Sequence, residues 1–392
     1  MQNMICASGG IFLTQYFGAK QREGMRQSVA FKVVASLSTC IFYFLATFVF
    51  TRPVLSLMVI GNSQADLILD EGQKYMYLMG FIGIQMMISS ILSSSYREIG
   101  RVRVILVITL IAAGSNAFLN WVFIYGHLGM PRLEVEGAAY ATIIAKTVEM
   151  LLLIGYTIKE RPEFISFSVF KRIDWALFGR ILKKGSLLII SQMMWVLSES
   201  FTAAIYNGRG NAAVVSGMAA SFSIANLFFI SFDGITTATG VLIGKSLGRN
   251  ELDDARKEKT WMLSAAIIFG CIMCLVGVVT VLLVPVVFGN LSIDAQNICR
   301  AMLLLMALFM PLWIYVNTQL AVCRAGGDTK VGFLVDGGTT AVMIPMLLIL
   351  AFFTNASPVM MYFGVKALDV GKIIVATHEM KKERWVVNLS NG

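Results

Sequence analysis

The sequence predicts an all-α integral membrane protein made of two parallel-repeat helical lobes. Three observations carry that reading. Hydrophobic residues are 57% of the 392 residues and charged residues 14%, with a mean hydropathy of +0.74. A soluble domain would be about half apolar and about a quarter charged. The apolar runs are long enough for membrane helices rather than barrel strands. Finally, two stretches occur twice. The stretch 17–26 returns at 247–256, aligning Gly18 with Gly248 and Arg26 with Arg256 at an offset of 230. The stretch 96–103 returns at 323–330, aligning Arg97 with Arg324, Gly100 with Gly327 and Arg103 with Lys330 at an offset of 227. Two matches at nearly one offset, each between long apolar runs, indicate a duplicated half.

Taken in order, the chain opens with an apolar run over 4–17 that is too short to span. Full spans are expected at 28–50, 75–92, 104–126, 137–157, 186–206, 213–242, 261–288, 300–322, 331–353 and 356–376. The first of these extends past Arg52 and Pro53 into an outer segment ending near Gly61 and Asn62. The domain plan is an N-lobe over 1–157, an inter-lobe linker over 158–185, a C-lobe over 186–376 and a tail over 377–392. Shifted back by the repeat offset, the span 186–206 falls before residue 1. The N-lobe is therefore expected to lack its first helix: a 12-helix plan with about ten full spans and a partial first one.

The net charge of +9 fits the membrane better than a nucleic-acid partner. Most basic residues fall in alternate inter-span loops, at 18–32, 93–103, 158–185, 243–260, 323–330 and 377–392. The positive-inside rule puts those loops and the C-terminus in the cytoplasm of a multi-pass inner-membrane protein. Gly18 and Gly248 are expected to end helices, with the nearby Arg and Lys side chains facing anionic headgroups. The stretch 170–178 is amphipathic and suited to lie on the inner membrane surface. Gly137, Ala141 and Ala145, four apart, suit close helix contact.

Gln15–Lys20, Asn116–Gly126, Glu136–Thr142 and Arg324–Lys330, in this order and spacing, resemble the multidrug and toxic compound extrusion (MATE) family over the whole chain. The resemblance implies two six-helix lobes and cation-coupled export by alternating access, in keeping with parallel-repeat transporters. The expected activity is antiport of H⁺ or Na⁺ against amphipathic drugs or toxic small molecules, by a monomer that is not an enzyme and uses no cofactor beyond the coupling ion. The chain departs from the family pattern where that chemistry sits. The family's N-lobe coupling acid usually lies in the helix expected to be missing. Some members carry Asp where Asn120 stands, and some carry acids near Trp195 and Trp313.

The coupling residues must therefore be argued locally. An ionisable side chain at membrane depth costs several kcal/mol, about 3 by insertion scales, so each needs a reason. Lys146 and Glu149, and Lys366 and Asp369, are three apart and can pair on one helix face, as structural pairs or as relays. Glu199, Asp233 and Asp336 have no basic residue at i±3 or i±4 and are the cation-coupling candidates. Asp336 has a rival reading, an ion pair with Lys330 or Arg324. Asn116, Asn120, Gln192, Asn226 and Asn317 are candidates to line a substrate cavity, with Asn207 and Gln319 also at depth; helix–helix hydrogen bonding is the alternative.

Other chemistries are excluded or weak. Thr239–Ser246 resembles a phosphate-binding loop but lacks its first glycine and follows a membrane helix, not a strand. His127 and His378 belong to no ligand cluster, so no metal site is expected. Cys271 and Cys274 have CxxC spacing inside an apolar run and read as packing residues. The remaining alternatives are a flippase for a lipid-linked precursor, a membrane-embedded enzyme, for which no catalytic cluster is present, and an inactive fragment. The flippase would want a strongly basic cavity, and only Lys146, Lys366 and Lys372 lie at depth.

Overall fold

The computed structural model describes residues 1–56, 65–209, 212–354 and 357–391; the expected end of the outer segment at Gly61 and Asn62 lies outside them. Those residues are helical almost throughout, with no strand among them. The helices are α1 (Gln2–Gly18), α2 (Arg22–Phe44), α3 (Thr51–Ser56), α4 (Ala65–Gly80), α5 (Ile82–Glu98), α6 (Val102–Tyr125), α7 (Glu134–Glu160), α8 (Trp175–Arg209), α9 (Ala212–Gly248), α10 (Leu252–Val287), α11 (Ile293–Ala325), α12 (Lys330–Phe353), α13 (Pro358–Ala367) and α14 (Asp369–Lys381). This is the architecture the composition demands. In hydrocarbon each backbone polar group must be satisfied internally, and a helix does that within one segment.

Among the described residues, eight helices are long and apolar enough to cross a membrane. The end of α4 and α5, bent by 44° at Phe81, make a ninth if the pair is counted as one span. The expected last span, 356–376, arrives as two shorter helices. A tightened turn at Leu368 joins them, with Leu368 N–H donating to Val365 O and Gly371 N–H to Leu368 O. Several expected loops are largely helix. At 1.5 Å per residue the 36-residue α10 is on the order of 50 Å long, well past a hydrocarbon core of about 30 Å. The amphipathic stretch 170–178 is not one helix. A 3-10 turn ends at Lys171, and α8 begins at Trp175 because the Asp174 carboxylate accepts from the Ala176 and Leu177 N–H groups at 3.0 Å.

The chain divides into two compact units: Met1–Leu13 with Arg22–Ile181, and Thr14–Gln21 with Leu182–Gly392. In the first unit, α6 and α7 pack closely. A Cβ at Gly137 would stand 2.7 Å from Phe123 O, and Ala141 and Ala145 are buried behind it, as the small-residue stripe predicts. In the second unit a methionine-rich core (Met218, Met302, Met306, Met343, Met361) joins α9, α11, α12 and α13. There α10 lies on α11 through Gly270, where a Cβ would stand 2.6 Å from Pro311 Cα, and Gly277, which faces Ala307.

The sequence repeat is also a backbone repeat. Lys20 and Asn250 both take left-handed conformations, at φ 57° and 64°. The Ala19, Lys20 and Gln21 N–H groups donate to the Gln15, Phe17 and Tyr16 carbonyls, and Arg249, Asn250 and Glu251 repeat this on Lys245, Leu247 and Ser246. In the second motif Gly100 and Gly327 are left-handed, at φ 87° and 76°. Arg101 N–H donates to Tyr96 O as Asp328 N–H does to Cys323 O. Helices α1 and α9 do end at Gly18 and Gly248, but the left-handed residue comes two positions later. The two glycines answer a packing need instead. A Cβ on Gly18 would run into the Lys245 carbonyl, and a Cβ on Gly248 into the Gln15 carbonyl.

The repeated arginines Arg26 and Arg256 each bond to protein. Arg26 Nε donates to Glu163 O at 3.1 Å, just beyond α7. Arg256 Nη2 donates to Glu383 Oε2 at 2.9 Å, just beyond α14. Hydrogen bonding to Arg256 holds the Glu383 carboxyl below its usual range. An aromatic follows each acid into the interior. Phe164 meets Tyr96 edge-on at 5.3 Å, and Trp385 is fully buried with its carbonyl against Gly326. The segment 377–391 is thus folded into its unit. Gln15 secures it, donating to Val387 O at 3.3 Å and accepting from Leu389 N–H at 2.6 Å.

Candidate functional site

A carboxylate facing an apolar wall recruits whatever positive charge the fold can bring to it. In the second unit the fold brings two lysines, and they organise the site. Glu199 on α8 has no basic neighbour on its own helix, yet it is not unpaired. Lys366 on α13 reaches it, Nζ to Oε1 2.9 Å, and lies over the rings of Tyr362 and Trp313 at 5.4 and 5.8 Å from their centroids. The expected Lys366–Asp369 pair is replaced. Asp369 has a lysine three residues away on either side, and it takes Lys372 at 3.1 Å. The turn at Leu368 divides Lys366 from Asp369, while Asp369 and Lys372 share α14.

Asp336 on α12 is also not unpaired. Neither Lys330 nor Arg324 forms its ion pair. Lys372 does, at 3.9 Å, so one ammonium serves two carboxylates. Trp313 on α11 closes the chain of contacts by donating its indole N–H to Asp369 Oδ2 at 2.8 Å. The result is a connected run, Glu199–Lys366–Trp313–Asp369–Lys372–Asp336, from five helices. Asp233, the third candidate, stays outside it. It is exposed on α9, with no ion pair within 4.0 Å among the described residues. Lys372 and Trp313 were not among the sequence candidates, and Lys366 and Asp369 were offered only as a pair with each other. The i+3 spacing of Asp369 and Lys372 was the available signal; the 167-residue separation of Lys366 and Glu199 left none.

The polar candidates divide. In the first unit Asn120 Nδ2 donates to Asn116 Oδ1 at 3.0 Å, and Asn116 Nδ2 lies 3.5 Å from the Thr142 hydroxyl. Asn120 Oδ1 is buried with no donor to it among the described residues. Asn116 and Asn120 therefore form one cluster on α6, with an open acceptor. In the second unit Asn317 Nδ2 returns to Trp313 O on its own helix at 2.9 Å, and Gln319 Nε2 donates to Thr377 Oγ1 at 2.7 Å. Asn226 is exposed and Gln192 half-buried, each without a hydrogen bond among the described residues. The Asn207 side chain lies outside the described residues. The expected Lys146–Glu149 pair forms at 2.8 Å on α7.

Lys32 gives a further correction. It was counted with a basic loop, but it lies inside α2 and is fully buried. Its Nζ contacts Glu98 Oε2 at 2.5 Å and the Ser94 and Ser95 hydroxyls at 3.1 and 3.2 Å. Gly9 and Gly10 on α1 leave room for this pair; a Cβ on either would meet the Lys32 stem or the Glu98 carboxylate.

Comparison with known proteins agrees with this architecture. A "Probable multidrug resistance protein NorM" of Mesorhizobium japonicum is 26% identical over 299 residues, covering 73% of this chain and 63% of the relative. The chain thus spans less than two thirds of that protein's length. A solved outward-facing multidrug resistance MATE family transporter of the MOP superfamily superposes with a TM-score of 0.82 at 17% identity, covering 98% of this chain and 84% of that one. A Vibrio cholerae MATE transporter, VcmN, superposes with a TM-score of 0.81 at 16% identity, over 98% and 86%. These likenesses to solved structures establish the fold. The MatE family model matches residues 4–122 and 188–357. With that match over most of its length, the chain belongs to the MATE family, whose members are multi-pass membrane transporters rather than enzymes.

Proposed function

We propose that the protein is an antiporter that couples inward H⁺ or Na⁺ flux to export of amphipathic drugs or toxic small molecules by alternating access. The observation that carries this reading is the shared ammonium of Lys372. Two carboxylates, Asp336 and Asp369, lie within 4.0 Å of one lysine, and the Arg324 guanidinium acts on Asp336 from farther away. A proton or Na⁺ would compete with these cations for the carboxylates, and its arrival or departure changes the balance between the helices that carry the acids. Glu199 and Asp233 are the other coupling candidates. Asn116, Asn120, Gln192, Asn226 and Asn317 remain candidates for the substrate path, and the open acceptor of Asn120 favours the first two. The names of the curated relatives support the drug class.

On this reading residues 1–157 and 186–376 are the two lobes, 158–185 joins them, and 377–392 is a tail. The basic turns and the C-terminus face the cytoplasm of the inner membrane. The protein acts as a monomer on small molecules, with the bilayer as its other partner, without nucleic acid and without a cofactor beyond the coupling ion.

The test is export from proteoliposomes carrying a defined pH or Na⁺ gradient. The proposal predicts efflux of a fluorescent cationic dye under at least one gradient. Loss of coupling is expected in Asp336→Asn and in Glu199→Gln. Dye efflux equal with and without either gradient defeats the proposal, as does gradient-driven efflux left intact when Glu199→Gln, Asp233→Asn and Asp336→Asn are combined.

A further inference from the structure

The last described residues are tied to the end of α1 through one side chain. Gln15 is fully buried. Its Nε2 donates to Ala325 O at 2.7 Å and to Val387 O at 3.3 Å, and its Oε1 accepts from Leu389 N–H at 2.6 Å. The same segment reaches α9, where Asn388 Nδ2 donates to Gly248 O at 3.4 Å, and covers Gly327, whose Cβ would stand 2.9 Å from Leu389 Cδ1. Trp385 is the fixed end. It is fully buried, donates its indole N–H to Met380 O at 3.2 Å and has Lys259 over its ring at 5.8 Å, with the Arg256–Glu383 clamp just before it. Beyond Trp385 the segment is thin. Val387 is 43% exposed, and Ser390 turns back onto Asn388 Oδ1 with both its N–H and its hydroxyl.

The turn held by Gln15 belongs to one unit and is continued by the other. Residues 14–21 lie in the second unit, whereas the chain on either side, Met1–Leu13 and Arg22–Ile181, forms the first. A displacement of the first unit is therefore passed to this turn by covalent chain at both ends. The turn meets α9 through surfaces nearly free of side chains: Gly18 on the Lys245 carbonyl, Gly248 on the Gln15 carbonyl, and Gly244, whose Cβ would stand 2.7 Å from Thr14 Cγ2. Such a contact gains dispersion but interlocks nothing, so it can part cleanly. Gln15 is the polar exception, since parting strands its amide, the Ala325 carbonyl and the Leu389 N–H.

We propose that residues 386–391 are a strap across the ends of α1 and α9, with Gln15 as its catch. The protein opens at this end by releasing the catch while Trp385 stays seated, a local opening rather than an unfolding of the unit. On the export reading this is the cytoplasmic end, and the inference rests on alternating access for its purpose. Its test reads accessibility and not flux, so either reading can fail alone.

The experiment uses the purified full chain in detergent carrying Thr14→Cys, because Thr14 is buried against Gly244. Labelling by N-ethylmaleimide is followed by peptide mass spectrometry at position 14 and at native Cys299, which is fully buried in the second unit and serves as the reference. With the tail intact, position 14 is expected to label slowly but several-fold faster than Cys299, as the catch opens and closes. Deleting residues 387–392 is expected to raise the rate at position 14 several-fold more, and Gln15→Ala to do the same. The two together should label no faster than the quicker of them, since both remove one catch. Leu389→Pro removes the N–H that bonds Gln15 with the rest of the tail in place, and it should also raise the rate. A rate at position 14 no faster than at Cys299 with the tail intact shows that this end does not open, and it overturns the proposal whatever the variants do. A deletion that leaves position 14 unchanged overturns it as well. So does one that speeds Cys299 equally, because the tail then holds the whole fold and not a catch.

Discussion

Gly18 and Gly248 make the same contact from opposite sides. Gly18 lies against the Lys245 carbonyl and Gly248 against the Gln15 carbonyl, and both the glycines and the carbonyl-bearing residues are 230 positions apart. The ends of α1 and α9 therefore cross at backbone distance, with no room for a side chain at either glycine. A methyl group on either must push two helix ends apart. Gly18→Ala and Gly248→Ala should each destabilise the protein by about 1–3 kcal/mol. The double variant should cost less than the sum, since one displacement relieves both clashes. Thermal unfolding in detergent measures this; two alanines with no effect would contradict the crossing.

The buried Lys32–Glu98 pair predicts an asymmetry. Removing one partner leaves an uncompensated charge among α1, α2 and α5, whereas removing both leaves none. Lys32→Met should lose about 3–5 kcal/mol, and Lys32→Met with Glu98→Gln should recover much of it. A double-mutant cycle on unfolding free energy gives the coupling. Strict additivity would show that the charges do not meet.

Lys372 serves two acids, so its loss and theirs should differ. Lys372→Met removes the ammonium that Asp336 and Asp369 share, leaving the more distant Arg324 as the cation acting on Asp336, and should make the protein more dependent on H⁺ or Na⁺ for stability. Asp336→Asn restores one-to-one pairing of Asp369 with Lys372 and should weaken the dependence of transport on the driving ion. Melting temperature against pH and Na⁺, followed by efflux under the same gradients, separates the two outcomes.

The Arg256–Glu383 clamp carries a pH signature. Hydrogen bonding to Arg256 lowers the Glu383 pKa in the folded state. Its stabilising effect is then complete above the unfolded carboxylate value of about 4.3 and is lost as pH falls through the lower folded value. Glu383→Gln should lower the melting temperature slightly at neutral pH, and the gap from wild type should close on acidification below about pH 4. Both side chains are 41% exposed, so added salt should shrink the effect. A gap that widens on acidification would reverse the sign of this argument.

The helices and the repeated turns were legible because they are local. Apolar run length announces a span, and the paired motifs announced two turns, the first of which repeats its hydrogen bonds one for one. The charge partners were not legible, because they depend on which helices meet. Within a window of four residues Glu199 and Asp336 look alone; across the fold each finds a lysine on α13 or α14. Lys32 was misplaced for a related reason. Its basic neighbours Lys20, Arg22 and Arg26 made it look like part of a loop, while the glutamate that justifies its burial lies 66 residues away. Asp369 was ambiguous, with a lysine three residues to either side, until the turn at Leu368 decided between them.

The glycine crossing also bears on ancestry. A contact in which residue i touches j while the counterpart of i touches the counterpart of j is the kind that two identical subunits make about a shared axis. Within one chain it has no need of that symmetry, and drift acts on the two copies independently. Between Gly18 and Gly248, both in the second unit, the two copies of the turn are nonetheless tied to one another, because a side chain on either would pry the same crossing open.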